Sequence, residues 1–159
     1  MPEPEEELTR YIDEQLAEFT AKTLGITAPP TWDWSHEWME PYYLRSLKRI
    51  FLPKEFIMRA YLMIPEKTKH ALRGALGHEF WHYVQDVRGD PLVIKGIKVA
   101  NIPTLNISEN LAERVAIKRA VLLTGISHAE HLRNWEEITD LVVETFGVRI
   151  EKRELSYLY

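Results

Sequence analysis

The sequence contains the segment His78-Glu79-Phe80-Trp81-His82 inside a longer stretch, Pro65 to Val87, that decides the fold. Proline is favourable at the first position of a helix, and Gly89-Asp90-Pro91 is typical of a helix end. The pattern therefore predicts one long helix from Pro65 to about Val87. Apolar residues at helical spacing form one face of this helix and predict the side that packs on the core: Leu72, Leu76, Phe80, Tyr83, Val84 and Val87.

His78 and His82 lie on the other side of this helix, about 40° apart when viewed along its axis. Two imidazoles one turn apart can bind a single metal ion, and zinc is the ion we expect. Glu79 lies about 100° from His78, where a general base for metal-activated water belongs. Ala71, Gly74 and Ala75 share the histidine side and leave room for a cleft. The alternative, a surface helix that carries two histidines by chance, does not account for this placement.

A third ligand must be histidine or a carboxylate, because the chain contains no cysteine. A second long helix is predicted to begin near Glu109 and to end at Gly125. Its small and acidic residues share one side: Glu109, Ala112, Glu113, Ala116 and Ala120. This alanine-lined side could approach the small residues of the histidine helix and bring a carboxylate to the metal, which in catalytic zinc sites has three protein ligands.

The segment Glu109-Asn110-Leu111-Ala112-Glu113-Arg114-Val115-Ala116 resembles the glutamate helix of gluzincin metallopeptidases. With the histidine motif, it makes the chain similar to the minimal gluzincins, or minigluzincins. Arg88 stands where the metzincin pattern needs a histidine, so that branch is excluded. The resemblance implies that Glu109 is the third ligand and that Glu113 orients a histidine. Glu113 as the ligand is the alternative, and helix capping within Asn106-Ile107-Ser108-Glu109 is the other interpretation of Glu109.

The resemblance implies a zinc-dependent metalloendopeptidase in which Glu79 assists the attack of zinc-bound water on a peptide bond. It also implies a single zincin-like domain over residues 1–159, of class α+β, mostly helical, with a small sheet packed on the active-site helix. Phe56 to Ile64 alternates like a strand, and the resemblance makes it the cleft rim that pairs with substrate. The alternatives are a regulatory or latent protease acting on one partner, and a catalytically inactive zinc-binding interaction protein.

The rest of the chain contains weaker signals. Helical spacing predicts a helix over Glu5 to Leu24, a short one over Pro41 to Arg49, and a third long one from Ala129 to about Phe146. Leu92 to Leu105 is mixed, with short strands, and the tail from Val148 to Tyr159 is ambiguous. Three tryptophans upstream are interpreted as packing residues: Trp32, Trp34 and Trp38.

Several polar residues have more than one interpretation. Ser127 and Glu130 have capping-box spacing, which is favoured over a second metal site at His128 and His131. One of these histidines is a candidate for stabilising the oxyanion, and four tyrosines compete for that role: Tyr61, Tyr83, Tyr157 and Tyr159. Gln85 has two possible roles, either lining the cleft or packing against neighbouring side chains. The segment His36-Glu37-Trp38-Met39-Glu40 lacks a second histidine, so we assign it no metal, and the apolar tail after Glu154 could occlude a cleft.

Composition limits the partners. The net charge of −4 gives no basic surface for nucleic acid. No stretch approaches 18 consecutive apolar residues, so we expect no membrane span. The acidic start, Met1-Pro2-Glu3-Pro4-Glu5-Glu6, is unlike a signal peptide, and we expect a cytoplasmic protein. The expected partner is a peptide or protein substrate, and a homo-oligomer is left open.

Overall fold

The computed structural model describes residues 2–89 and 104–148, and for residues 104–110 it describes the backbone only. This part of the chain forms five helices and a three-stranded sheet, which confirms a mostly helical α+β fold. In chain order the elements are α1 (Pro4–Lys22), β1 (Thr31–Ser35), β2 (Tyr42–Leu44), β3 (Arg49–Pro53), α2 (Lys54–Met63), α3 (Pro65–Val87), α4 (Thr104–Thr124) and α5 (His128–Phe146). None of the helices in this part is long and apolar enough to cross a membrane.

Helix α3 lies at the centre of the fold and has the predicted bounds, Pro65–Val87. It packs against α1, α2, α4 and α5 and against the sheet. Its predicted apolar face is buried except at Val87, which is 47% exposed, and at the partly buried Tyr83. The histidine side is also covered, because the glycines there allow other helices to approach: a side chain at Gly74 would overlap His131, and one at Gly77 would overlap Thr124.

The sheet has the strand order β1-β3-β2, with β1 parallel and β2 antiparallel to β3. Asp86 near the end of α3 anchors it. This buried carboxylate accepts hydrogen bonds from the hydroxyl of Tyr43 at 2.6 Å, from Nε of Arg45 at 2.9 Å and from Nζ of Lys48 at 3.2 Å. Strand β2 and the turn that follows it are thereby fixed against the histidine helix.

The predicted strand over Phe56 to Ile64 is wrong, because the segment is helical up to Met63, where α2 ends. Its buried residues recur at helical spacing: Phe56, Ile57, Ala60 and Tyr61. Alternation alone was misleading: in a strand it would place Leu62 on the same face as the buried Phe56 and Ala60, but Leu62 is 66% exposed. A short apolar segment satisfies both periods, and here packing against α1, α3 and α5 favours the helix. The cleft rim therefore does not lie in this segment.

The short helix predicted over Pro41 to Arg49 is also wrong, because this segment forms β2, a turn and the start of β3. The helix predicted over Glu5 to Leu24 is confirmed as α1. The third long helix is confirmed as α5, which ends at Gly147 in a left-handed conformation (φ 64°). The predictions for residues 92–103 and for the tail from residue 149 onward concern parts of the chain outside the described residues.

Helix α4 begins at Thr104, earlier than predicted. The backbone of residues 106–109 is therefore already helical, and a capping box at the start of the helix is not the role of Glu109. The predicted cap of α5 by Ser127 is confirmed, because the backbone N–H of Glu130 donates to Oγ of Ser127 at 3.1 Å. The carboxylate of Glu130 contacts Nε2 of His70 at 3.2 Å, so the described contacts include only the Ser127 half of a capping box.

Candidate metal centre

His78 and His82 lie one turn apart on α3, and their ring centroids are 4.9 Å apart. The His78 side chain is 16% exposed and that of His82 is fully buried. Both rings face α4, whose buried Ala112, Ala116 and Ala120 allow the two helices to approach closely. The alanine-lined approach predicted from the sequence is therefore confirmed.

Glu113 of α4 reaches both imidazoles. Its Oε2 lies 3.1 Å from Nε2 of His78, and its Oε1 lies 2.8 Å from Nε2 of His82. One ligand atom from each of the three residues lies within 4.8 Å of the others. Zinc ligands at about 2.0–2.2 Å from the ion stand about 3.3 Å apart in a tetrahedron, so this His-His-Glu group fits a metal ion.

The electrostatics of the group favour the protonation states that a metal needs. Burial raises the pKa of Glu113, but hydrogen bonds to His78 and His82 outweigh it and hold the pKa well below its usual range. Burial lowers the pKa of His78, although Glu113 opposes this shift. At neutral pH the carboxylate is therefore ionised and His78 is neutral, which are the states in which these side chains bind a cation.

Gln85 fixes the orientation of His82. The side-chain amide of Gln85 donates through Nε2 to the carbonyl oxygen of Ala112 at 3.0 Å, so its Oε1 faces Nδ1 of His82, also at 3.0 Å. His82 therefore donates through Nδ1, which leaves Nε2 as the ring nitrogen that faces the centre. Of the two roles left open for Gln85, the structure supports a position next to the site, where it is buried.

Glu79 lies next to this group and is only 5% exposed. The backbone N–H of Tyr43 donates a hydrogen bond to its carboxylate. Its Oε2 atom is buried and has no hydrogen-bond partner in the described part of the chain. Burial raises the pKa of Glu79 well above its usual value, and the charges of Glu113 and Glu40 raise it further, against the Tyr43 N–H.

Glu109 cannot be compared with Glu113, because its side chain lies outside the described residues. Its backbone belongs to α4, about one turn before Glu113. The carboxylate that the structure brings to the two histidines is that of Glu113, which the sequence offered as the alternative ligand. Glu109 as a ligand stays a prediction.

Helix α5 brings His131 against Gly74 of α3. Burial, with the nearby charges of His78 and His128, lowers the pKa of His131 to about 4. A small cavity borders these three histidines. Among the described residues, however, the group with metal-ligand spacing consists of His78, His82 and Glu113 alone, and a second metal site is not supported.

Of the four candidate tyrosines, the two in the described part of the chain bond to groups other than the candidate metal ligands. Tyr61 donates to Glu7 at 2.5 Å, and Tyr83 donates to the carbonyl oxygen of Ala28 at 3.0 Å. Tyr157 and Tyr159 lie outside the described residues. Tyr43, which the sequence did not single out, contributes through its backbone, and no side-chain pattern could have predicted that contact.

Comparison with protein-family models, with curated proteins and with solved structures finds no match to this chain. The resemblance to gluzincins therefore rests on the two segments quoted above and stays a prediction.

Proposed function

We propose that this chain is a zinc-dependent metalloendopeptidase whose metal is held by His78, His82 and a carboxylate of α4. The observation that carries the proposal is the convergence of His78, His82 and Glu113 beside the buried carboxylate of Glu79. Zinc at this position would polarise a peptide carbonyl and make a water molecule more acidic. Glu113 is the third ligand that the distances favour, and Glu109 is the one that the resemblance favours.

Glu79 is the proposed general base. Its raised pKa places proton uptake nearer to neutral pH, where a general base works best. The Tyr43 N–H holds the carboxylate in place, and the buried Oε2 has no hydrogen-bond partner among the described residues, so it can accept the proton. The same carboxyl group would then return the proton to the leaving amine.

Strand β2 is the proposed rim of the cleft, in place of the segment first expected. Tyr43 pairs with Ile50 of β3, yet its N–H donates to Glu79 on α3. In an antiparallel pair, a residue whose N–H points away from its partner also directs its C=O away. The polar backbone groups of Tyr43 therefore face Glu79, and a peptide could align there by main-chain pairing.

The proposal is tested with Glu79→Gln, which keeps the shape of the side chain and removes the base. We expect zinc content to stay at the wild-type level, while cleavage of an unfolded substrate such as casein falls by at least about a hundredfold. Glu37→Gln, an exposed acidic residue outside α3, is the matched control and should cleave normally. Equal cleavage by Glu79→Gln and the parent would refute the mechanism.

If the wild-type protein binds zinc but cleaves no unfolded substrate, two alternatives remain: a protease restricted to one partner and a zinc-binding interaction protein. A protease restricted to one partner would cleave that partner and lose this activity in the Glu79→Gln variant. A zinc-binding interaction protein would capture its partner equally well in the parent and in that variant.

A further inference from the structure

A small cavity lies beside His78, where α3, α4 and α5 meet. Most of its lining is apolar, but three histidine side chains also border it: His78, His128 and His131. It offers a volume of about 10 Å³, which is room for about one water molecule. A buried water needs about two to four polar partners. The cavity therefore has the size and the polar groups that suit a single water.

His131 brings an unsatisfied ring nitrogen to this place. Its Nδ1 atom is buried and has no hydrogen-bond partner in the described part of the chain. Glycine at position 74 is what allows the ring to lie here, because a side chain at Gly74 would overlap Nδ1. Burial of a polar atom without a partner is unfavourable, so a water bound to Nδ1 would stabilise the packing of α5 on α3.

His78 borders the cavity on the side away from Glu113. Glu113 contacts both His78 and His82, so it approaches His78 from the carboxyl end of α3. The cavity lies towards the amino end, because its lining includes Gly74, about one turn before His78. Nε2 is the ring nitrogen of His78 that faces Glu113. Nδ1 is therefore the nitrogen that is left for a group in the cavity.

The two histidines of the candidate centre differ in their other contacts. Nδ1 of His82 faces Oε1 of Gln85 at 3.0 Å. In the described part of the chain, the ring nitrogens of His78 form a hydrogen bond only with Glu113. A histidine that binds a metal generally donates its second ring N–H to a protein acceptor or to water. His78 thus needs an acceptor on the side where the cavity lies.

We propose that one buried water links Nδ1 of His78 to Nδ1 of His131, which makes His131 a positioning residue of the metal centre. His78 donates to the water, and the water donates to His131. Burial holds the pKa of His131 at about 4, so its ring is neutral at neutral pH and can accept. The water then does for His78 what Gln85 does for His82. The inference rests on the metal centre of the proposed function, but not on cleavage.

The test is the affinity for zinc, measured by competition with a chelator. His131→Leu removes the acceptor, and we expect the affinity to fall by about ten- to a hundredfold. His131→Asn can place an amide oxygen near the position of Nδ1, so the affinity should stay within about threefold of that of the parent. His70→Leu is the matched control, because His70 is an exposed histidine of α3 that contacts Glu130. It should bind zinc like the parent.

A second measurement separates positioning from a general loss of packing. In zinc-loaded protein with ¹⁵N-labelled histidine, the N–H proton on Nδ1 of His78 should resonate downfield, as a hydrogen-bonded proton does. The resonance should move upfield in His131→Leu and should stay in place in His131→Asn. The thermal midpoint of each metal-free variant shows that it is folded.

Three results would overturn the inference: equal zinc affinity in the parent and in His131→Leu, an equal loss of affinity in the leucine and asparagine variants, or no zinc binding by the parent. A failure of the proposed function looks different. The parent would then bind zinc with an affinity that depends on His131, but it would cleave no peptide.

Discussion

The carboxylate of Glu113 lies between the two imidazoles, at 3.1 Å from Nε2 of His78 and 2.8 Å from Nε2 of His82. Such distances suit a ligand that shares a metal with both rings, and they also suit a carboxylate that orients them. Replacement of Glu113 by glutamine distinguishes the role of metal ligand from the role of orienting residue. Glutamine keeps a hydrogen-bonding oxygen, but it lacks the negative charge of a ligand carboxylate.

Glu113→Gln should therefore lower the affinity for zinc by more than about a hundredfold, since removal of a partner that only orients a ligand costs about 10–100-fold. Glu109→Gln should have the smaller effect. Zinc affinity is measured by competition with a chelator, with His36→Ala as a control on an exposed histidine that we assign no metal. The reverse order of effects would restore the roles implied by the resemblance, with Glu109 as the ligand and Glu113 as the orienting residue.

At the scale of elements, Asp86 joins the sheet to the histidine helix. Its side chain is only 3% exposed and accepts from Tyr43, Arg45 and Lys48. Asp86→Ala should lower the free energy of unfolding by about 2–4 kcal/mol, because it leaves the buried hydroxyl of Tyr43 without its acceptor. Tyr43→Phe should lower the free energy of unfolding by less, about 2 kcal/mol.

Urea unfolding of both variants measures these losses. Asp33→Ala is the matched control, because its carboxylate is exposed and lies 3.9 Å from Arg49. We expect this control to change the free energy of unfolding by less than about 0.5 kcal/mol. If Asp86→Ala behaved like Asp33→Ala, the three hydrogen bonds would not be what holds β2 against α3.

Helix α3 could be predicted from the sequence because its length and its end signals agree: Pro65 starts it and Gly89 follows it in a left-handed conformation. The short elements could not be predicted from the sequence in this way. Phe56 to Ile64 has apolar residues that suit either period, and Tyr42–Leu44 is too short to show any. Their structures depend on packing between distant segments, such as Tyr43 on Asp86.

The candidate site also has a part that the sequence predicts and a part that it does not. His78, Glu79 and His82 lie within one helix, so fixed helical geometry brings them together before any tertiary contact is known. Glu113 and the Tyr43 N–H come from other elements, and their approach depends on how α4 and β2 pack on α3. The sequence therefore predicted the part of the site that is local and left open the choice between Glu109 and Glu113.

At the scale of the whole molecule, α3 is enclosed, and that burial makes stability depend on pH through His131 of α5. Its pKa is about 4 in the folded protein, because of burial and the charges of His78 and His128, against 6.5 as the ordinary value. Between these pH values the unfolded chain binds more protons than the folded one, so acid favours unfolding. The free energy of unfolding should fall by up to about 3 kcal/mol from this residue as the pH drops from about 6.5 to 4, and should then level off.

His131→Gln should flatten that part of the pH profile, because glutamine cannot take up the proton. The measurement is urea unfolding at several pH values on metal-free protein, since metal binding is itself pH-dependent. His36→Gln is the control on an exposed histidine. A profile for His131→Gln as steep as that of the parent would show that the proton is taken up elsewhere, and it would argue that α5 does not hold His131 against Gly74 in the way that the fold requires.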